Sequence, residues 1–133
     1  MNEEGIRFTV AISTYNVEKY VERAVKSVVN QEFDNFEIII ADDSSTDNTM
    51  EIVNKLKNDK IRVFKTEKNT GTAGGTRNIA IENAKGEYII FLDGDDTLYD
   101  NKTLAKIDKI IGEGTPEIVY LGYEDVGQGN KER

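Results

Sequence analysis

Five short apolar runs alternate with stretches of helical spacing, and each of the first four runs ends in a cluster of polar residues. A short apolar run bounded by polar turns reads as a buried strand, and apolar residues three and four apart read as one face of a helix. Strands joined through helices run parallel, because each crossover carries the chain back to the same edge. The pattern predicts strands at Ile6–Ile12, Phe36–Ala41, Ile61–Phe64, Tyr88–Leu92 and Glu117–Leu121. Val17, Tyr20, Val21, Ala24, Val25 and Val28 mark a first helix, with Asn16 as its N-cap. Met50, Val53 and Leu56 mark a second, with Asp47 in its first turn. Ile79, Ala80 and Ala84 mark a third, closed by Gly86, and a fourth runs from Leu104 to Ile111. The expected fold is one α/β domain over residues 1–133, a mostly parallel sheet with helices on both faces. Residues 127–133 read as a polar, frayed tail.

Composition narrows the chemistry. The 133 residues contain no cysteine and no histidine, so disulfides, thiolate metal sites, imidazole-ligated zinc and His-dependent triads are excluded. Any metal must be held by oxygen, which favours magnesium, manganese or calcium. The net charge of -8 argues against binding nucleic acid or anionic lipid through bulk charge. An anionic small ligand is still compatible, because a bound cation reverses the local field. No apolar run is long enough to span a membrane, and the N-terminus has no secretory pattern. The expected location is cytoplasmic, with a place at the cytoplasmic face of the membrane through partners.

In an open parallel sheet, ligands bind beyond the carboxyl ends of the strands, where the strand order reverses. Ser13, Thr14, Tyr15 and Asn16 follow the first strand, and Asp42, Asp43, Ser44 and Ser45 the second. Asn69, Gly71, Gly74, Gly75, Arg77 and Asn78 follow the third, and Asp93, Gly94, Asp95 and Asp96 the fourth. Three carboxylates within four residues repel one another, and a divalent cation resolves that while also binding phosphate oxygens. Gly94 removes a side chain where a ligand must come close. Taken alone, the cluster reads equally as an ordinary turn. The Asp42–Asp43 pair also has two readings. It is a turn into a helix N-terminus, or one of its carboxylates accepts the N3–H of a pyrimidine on which Tyr15 stacks and to which Ser13 hydrogen-bonds. Tyr15 by itself reads as a packed aromatic. Arg77, one turn inside the third helix after a run of glycines, is placed to contact a diphosphate.

These stretches together resemble the inverting glycosyltransferases of family 2, with the GT-A fold. The resemblance is carried by VAISTYNVEKYVERAVKSVVNQEFDNFEIIIADDSSTDNT, KNTGTAGGTRNIAIENAKGEYIIFLDGDD and TLY, roughly residues 8–99. It implies that Ser13 and Tyr15 contact the base and that Asp43 pairs with uracil, with Asp42 the close alternative. It implies that Arg77 lies near the diphosphate, that Asp95 is the direct metal ligand, and that Asp93 reaches the ribose or the metal. The metal is manganese or magnesium. The implied reaction is attack by an acceptor hydroxyl on the anomeric carbon of a nucleotide-sugar, a UDP-sugar in family terms, in cell-surface polysaccharide or glycan synthesis.

One departure matters. Family 2 enzymes place their general base well downstream of the Asp-x-Asp motif, and only 38 residues follow Asp95 here, ending at Arg133. Glu124 and Asp125 follow the expected fifth strand too closely to be assigned as the base. The expectation is a donor-binding portion that lacks the acceptor-binding part, with an exposed apolar sheet surface that favours a homo-oligomer. The acceptor stays open among a glycan, a lipid-linked sugar and a protein. A second hypothesis is a non-catalytic nucleotide-binding or protein-interaction module of the same fold. A third, a nucleotidyltransferase, is disfavoured, because the glycine-rich loop of sugar-nucleotide pyrophosphorylases follows the first strand and Gly74–Arg77 follows the third.

Overall fold

The computed structural model describes residues 5–71, 73–112, 122–125 and 129–132. Four strands form one sheet: β1 (Phe8–Thr14), β2 (Phe36–Asp42), β3 (Ile61–Lys65) and β4 (Tyr88–Asp93). Their order is β3-β2-β1-β4, and every pairing is parallel. Helices α1 (Val21–Val29), α2 (Thr49–Leu56), α3 (Ala73–Asn83) and α4 (Thr103–Ile111) supply the layers. A hairpin of β5 (Gly122–Asp125) and β6 (Gly129–Glu132) follows.

The central strands β1 and β2 are buried along nearly their whole length, which is why they read as continuous apolar runs. Side chains still alternate between faces. Phe8, Val10 and Ile12 pack with Ile38 and Ile40 against Val21, Val25 and Val28 of α1, Val53 of α2, and Leu104 and Ile107 of α4. Ala11 and Ile39 point the other way, onto Ala80 of α3. Each large aliphatic side chain so buried contributes about 1.5–3 kcal/mol. Right-handed crossovers explain the asymmetry. The chain steps from β1 to β2 to β3 in one direction, then jumps back across β1 to begin β4, so α3 lies on the opposite face. Helices therefore cover both faces, as expected.

Several local expectations change. Asn16 does not cap α1, which starts at Val21 after a turn closed by Val17. Its side-chain oxygen accepts from the Thr46 N–H at 2.8 Å and so ties the β1–α1 loop to the β2–α2 loop. Asp47 precedes α2 and accepts from the Thr49 N–H at 2.9 Å, satisfying a donor the helix leaves unpaired. Gly86 is not a left-handed helix stop. A Cβ there would lie 2.6 Å from the Thr9 amide nitrogen, so glycine lets the chain pass the backbone of β1. The Asn83 side chain closes α3 instead, donating to the Ile79 carbonyl at 2.8 Å. Within the tail expected to fray, Gly129–Glu132 is strand β6. The strand expected at Glu117–Leu121 lies outside the described residues.

One buried ion pair holds the end of the sheet remote from the polar clusters. Glu37 is 5% exposed and accepts from Thr9 Oγ1 at 2.6 Å, the Lys85 N–H at 2.7 Å and Arg62 Nη2 at 2.7 Å. Burial alone would raise the Glu37 carboxyl, but the Thr9, Lys85 and Arg62 bonds outweigh it and hold the group below its ordinary 4.5. The contribution of Glu37 to stability is therefore full above that value and is lost as pH falls through the lower, folded value. Glu37→Ala strands three donors at once and is expected to cost about 3 kcal/mol in urea unfolding. Asp108→Ala removes a partner of Arg7 at a half-exposed site and is expected to cost below about 1 kcal/mol. Equal costs would contradict this assignment. Gly86→Ala, with backbone atoms in the way, is expected to lower stability by about 2–3 kcal/mol in the same assay.

Candidate functional site

The reversal of strand order opens a crevice at the carboxyl ends of β1 and β4, because α1 leaves β1 on one face and α3 enters β4 from the other. Register sets what meets there. Ser13 pairs with Asp93, and Thr14 pairs with Asp42. Three of the four polar clusters are thus neighbours through adjacent strands.

The acidic cluster is a turn, closed by the Asp96 N–H donating to the Asp93 carbonyl at 2.9 Å. That turn is also what gathers the carboxylates. One oxygen from each of Asp93, Asp95 and Asp96 lies within 4.8 Å of the others. Oxygens bound to one hard divalent cation at about 2.1–2.4 Å span a similar distance across the ion, so the trio suits magnesium, manganese or calcium. Asp93 and Asp95 are exposed, whereas Asp96 is buried. Gly94 serves the chain itself rather than a ligand: a Cβ there would meet the Ser13 carbonyl oxygen at 2.8 Å and the Val17 side chain at 3.0 Å.

The two acids after β2 have different surroundings. Asp42 is fully buried and accepts from Thr14 Oγ1 at 2.6 Å, the Ser45 N–H at 2.8 Å and Ser45 Oγ at 2.6 Å. Its oxygens are occupied in closing its own loop. Asp43 reaches across to the loop after β3. Its Oδ1 accepts from Thr66 Oγ1 at 3.1 Å, the Thr70 N–H at 2.9 Å and Thr70 Oγ1 at 3.0 Å. Its Oδ2 accepts from Thr70 Oγ1 at 3.1 Å and the Gly71 N–H at 3.2 Å. Burial pushes the Asp43 carboxyl up, but the Thr70, Thr66 and Gly71 bonds outweigh it and hold the group below the usual aspartate range. Asp43 is therefore a charged acceptor at neutral pH.

Two loop residues carry unusual backbone geometry. Among the described residues other than glycine, only Asn16 and Ser44 have positive φ, at 51° and 60°. Both lie in loops that border the crevice, and such costs persist where the surrounding structure fixes them. Ser44 is held by its hydroxyl, which donates to the Thr66 carbonyl at 2.9 Å.

Tyr15 is 48% exposed, so the packed-aromatic reading does not hold. Ser13 lies 3.1 Å from Thr76 Oγ1, a contact that links β1 to α3. Gly74 and Gly75 lie within the first turn of α3 rather than ahead of it. Gly75 leaves room for Thr70, whose side chain would be 2.8 Å from a Cβ. Arg77 is exposed, and its guanidinium sits 5.2 Å from the ring centre of Phe91 on β4. Sequence reading missed Thr66, Thr70 and Thr76, because threonine in a loop carries no signal until its partner is known. It also missed Arg23, whose Nη2 donates to the Asp95 carbonyl at 3.4 Å.

Comparison with known proteins bears on this arrangement. The family model for glycosyl transferase family 2 matches residues 9–133. The chain is 37% identical over 129 residues to poly(ribitol-phosphate) beta-N-acetylglucosaminyltransferase TarS of Staphylococcus aureus, covering 93% of this chain and 22% of that protein. It is 46% identical over 88 residues to UDP-Glc:alpha-D-GlcNAc-diphosphoundecaprenol beta-1,3-glucosyltransferase WfaP of Escherichia coli, covering 66% of this chain and 35% of the relative. The chain therefore spans well under half the length of these curated relatives. The crystal structure of S. aureus TarS 1-349 in complex with UDP-GlcNAc superposes with a TM-score of 0.76 at 30% identity, over 93% of this chain and 42% of that one. A mannosyltransferase from Pyrobaculum calidifontis, in complex with GDP-Man and Mn2+, gives a TM-score of 0.74 at 26% identity, over 82% of this chain and 33% of that one. The four-stranded parallel sheet and its helices are those of the Rossmann-like GT-A fold, and the chain belongs to glycosyl transferase family 2.

Proposed function

We propose that this chain binds the donor of a glycosyltransferase, a UDP-sugar held in the crevice between β1 and β4 through a divalent cation. The observation that carries this reading is the acidic turn Asp93–Asp96, which presents three carboxylate oxygens beside the end of β1. In this reading Asp95 is the direct metal ligand and Asp93 reaches the metal or the ribose. Manganese or magnesium fits the all-oxygen donor set, and when bound it neutralises the charge of the departing diphosphate. Ser13 and the exposed Tyr15 contact the base. Asp43 takes the N3–H of uracil, with Asp42, fully buried in its own loop, as the alternative. Arg77 lies at the diphosphate.

The reaction served is attack of an acceptor hydroxyl on the anomeric carbon with inversion, in cell-surface glycan synthesis. The hydroxyl proton needs a base. We assign that role to no residue of this chain; Glu124 and Asp125 belong to strand β5 of the hairpin. TarS and WfaP, by name, act on poly(ribitol-phosphate) and on a diphosphoundecaprenol-linked sugar. Both acceptors carry phosphate, and the acceptor proposed here is of that class.

Calorimetry with UDP and manganese tests the donor site without requiring transfer. UDP binding is expected to need the metal, and Asp95→Ala to weaken it at least about tenfold, which is about 1.4 kcal/mol. Asp43→Ala removes a charged acceptor and is expected to cost about 1.5–3 kcal/mol of UDP affinity. Binding that is indifferent to manganese and unchanged in Asp95→Ala would contradict the metal assignment.

A further inference from the structure

We propose that the groove between α1 and residues 97–101 receives the phosphate-bearing chain of the acceptor, an inference that rests on the donor reading above. The groove has a volume of about 650 Å³. It begins at the acidic turn, because Thr97 directly follows Asp96 and Arg23, which lines the groove, donates to the Asp95 carbonyl. From there it follows the flank of α1. A polymer lying in it would leave the reaction centre along the protein surface.

Its charge is opposite to that of the protein as a whole. Arg23 and Lys26 line the groove from α1, three residues apart on one helix face, and Lys19 lines it from the turn that precedes α1. The two acids of the groove are already compensated. Glu22 pairs with Lys26 at 2.8 Å, and Asp100 pairs at 2.9 Å with Lys106, which is not among the groove residues. Among the described residues, Lys19 and Arg23 form no ion pair, so they leave the groove with uncompensated positive charge. The Arg23 guanidinium lies 5.6 Å from the Tyr20 ring centre, a contact that restrains it beside the groove.

A chain with a net charge of -8 repels an anionic polymer over most of its surface. A cationic groove that starts at the metal-binding turn gives such a polymer one favourable approach, and it aims the polymer at the donor. A flat anionic bilayer would meet the surrounding acidic surface of a chain with net charge -8 as well as the lysines. All three cations are exposed.

The test is binding of a fluorescent ribitol-phosphate oligomer to the full 133-residue chain, with UDP and manganese saturating. Neither Lys19 nor Lys26 touches the donor site, so Lys19→Glu combined with Lys26→Glu reverses the groove charge and leaves UDP affinity within about twofold. Oligomer affinity is expected to fall at least about tenfold, and binding by the wild-type chain to weaken steeply with added salt. The double glutamine variant, which avoids placing like charges on α1, is expected to fall in between. Equal oligomer binding by wild type and charge-reversed variant overturns the proposal. So does an absence of oligomer binding by a wild-type chain that binds UDP, or binding of phosphatidylglycerol vesicles in place of the oligomer. Failure of the wild-type chain to bind UDP points instead to the donor reading, which the same experiment measures separately.

Discussion

The Gly94 N–H donates to the Ser13 carbonyl at 2.7 Å, and most of the site is organised around that bond. It continues the β1–β4 pairing one step past the strands and pins the acidic turn against the end of β1. A side chain at Gly94 would collide with the same carbonyl, so the contact depends on glycine. With the turn fixed there, Asp93 stands beside Ser13. Residues separated by eighty positions then share one crevice, at the place where a parallel sheet changes direction.

The second constraint is electrostatic. Acids within the crevice are treated in two ways. Asp42 and Asp43 are buried among donors supplied by threonines, serines and backbone N–H groups, so their charge is satisfied by the protein. Asp93 and Asp95 are left exposed, facing outward with Asp96 close behind. Hydrogen bonds stabilise the first pair whether or not a ligand is present. The trio is relieved most effectively by a cation, and a cation at that point supplies the positive charge that a diphosphate needs on an otherwise acidic protein. Net charge therefore says little about this ligand.

Much of the fold was legible because parallel sheets write their burial into the sequence. The runs at Phe8–Ile12 and Phe36–Ala41 are buried on both faces and apolar except at Thr9 and Glu37, and the helix stripes repeat at the expected interval. The clusters at the strand ends were legible for the same reason, since polarity begins where the sheet stops. What was not legible depended on partners distant in sequence. Asn16 looks like a helix cap until Thr46 and Asp47 arrive beside it. Gly86 looks like a helix stop until the backbone of Thr9 occupies the space a Cβ would need. Asp42 and Asp43 look alike in sequence, and no spacing rule encodes that Thr14 and Ser45 bind the first while Thr66, Thr70 and Gly71 bind the second.

The most direct measurement is the broadening of backbone amide NMR signals by substoichiometric Mn2+ in the presence of UDP. Paramagnetic broadening falls steeply with distance, so it locates the ion without relying on activity. The account predicts selective loss of the signals of Gly94, Asp95 and Asp96 together with those of Ser13 and Thr14, and little change at Glu37 on the far end of the sheet. Broadening centred on other acids, or none at all, would contradict the claim that the turn after β4 is a metal-dependent donor site.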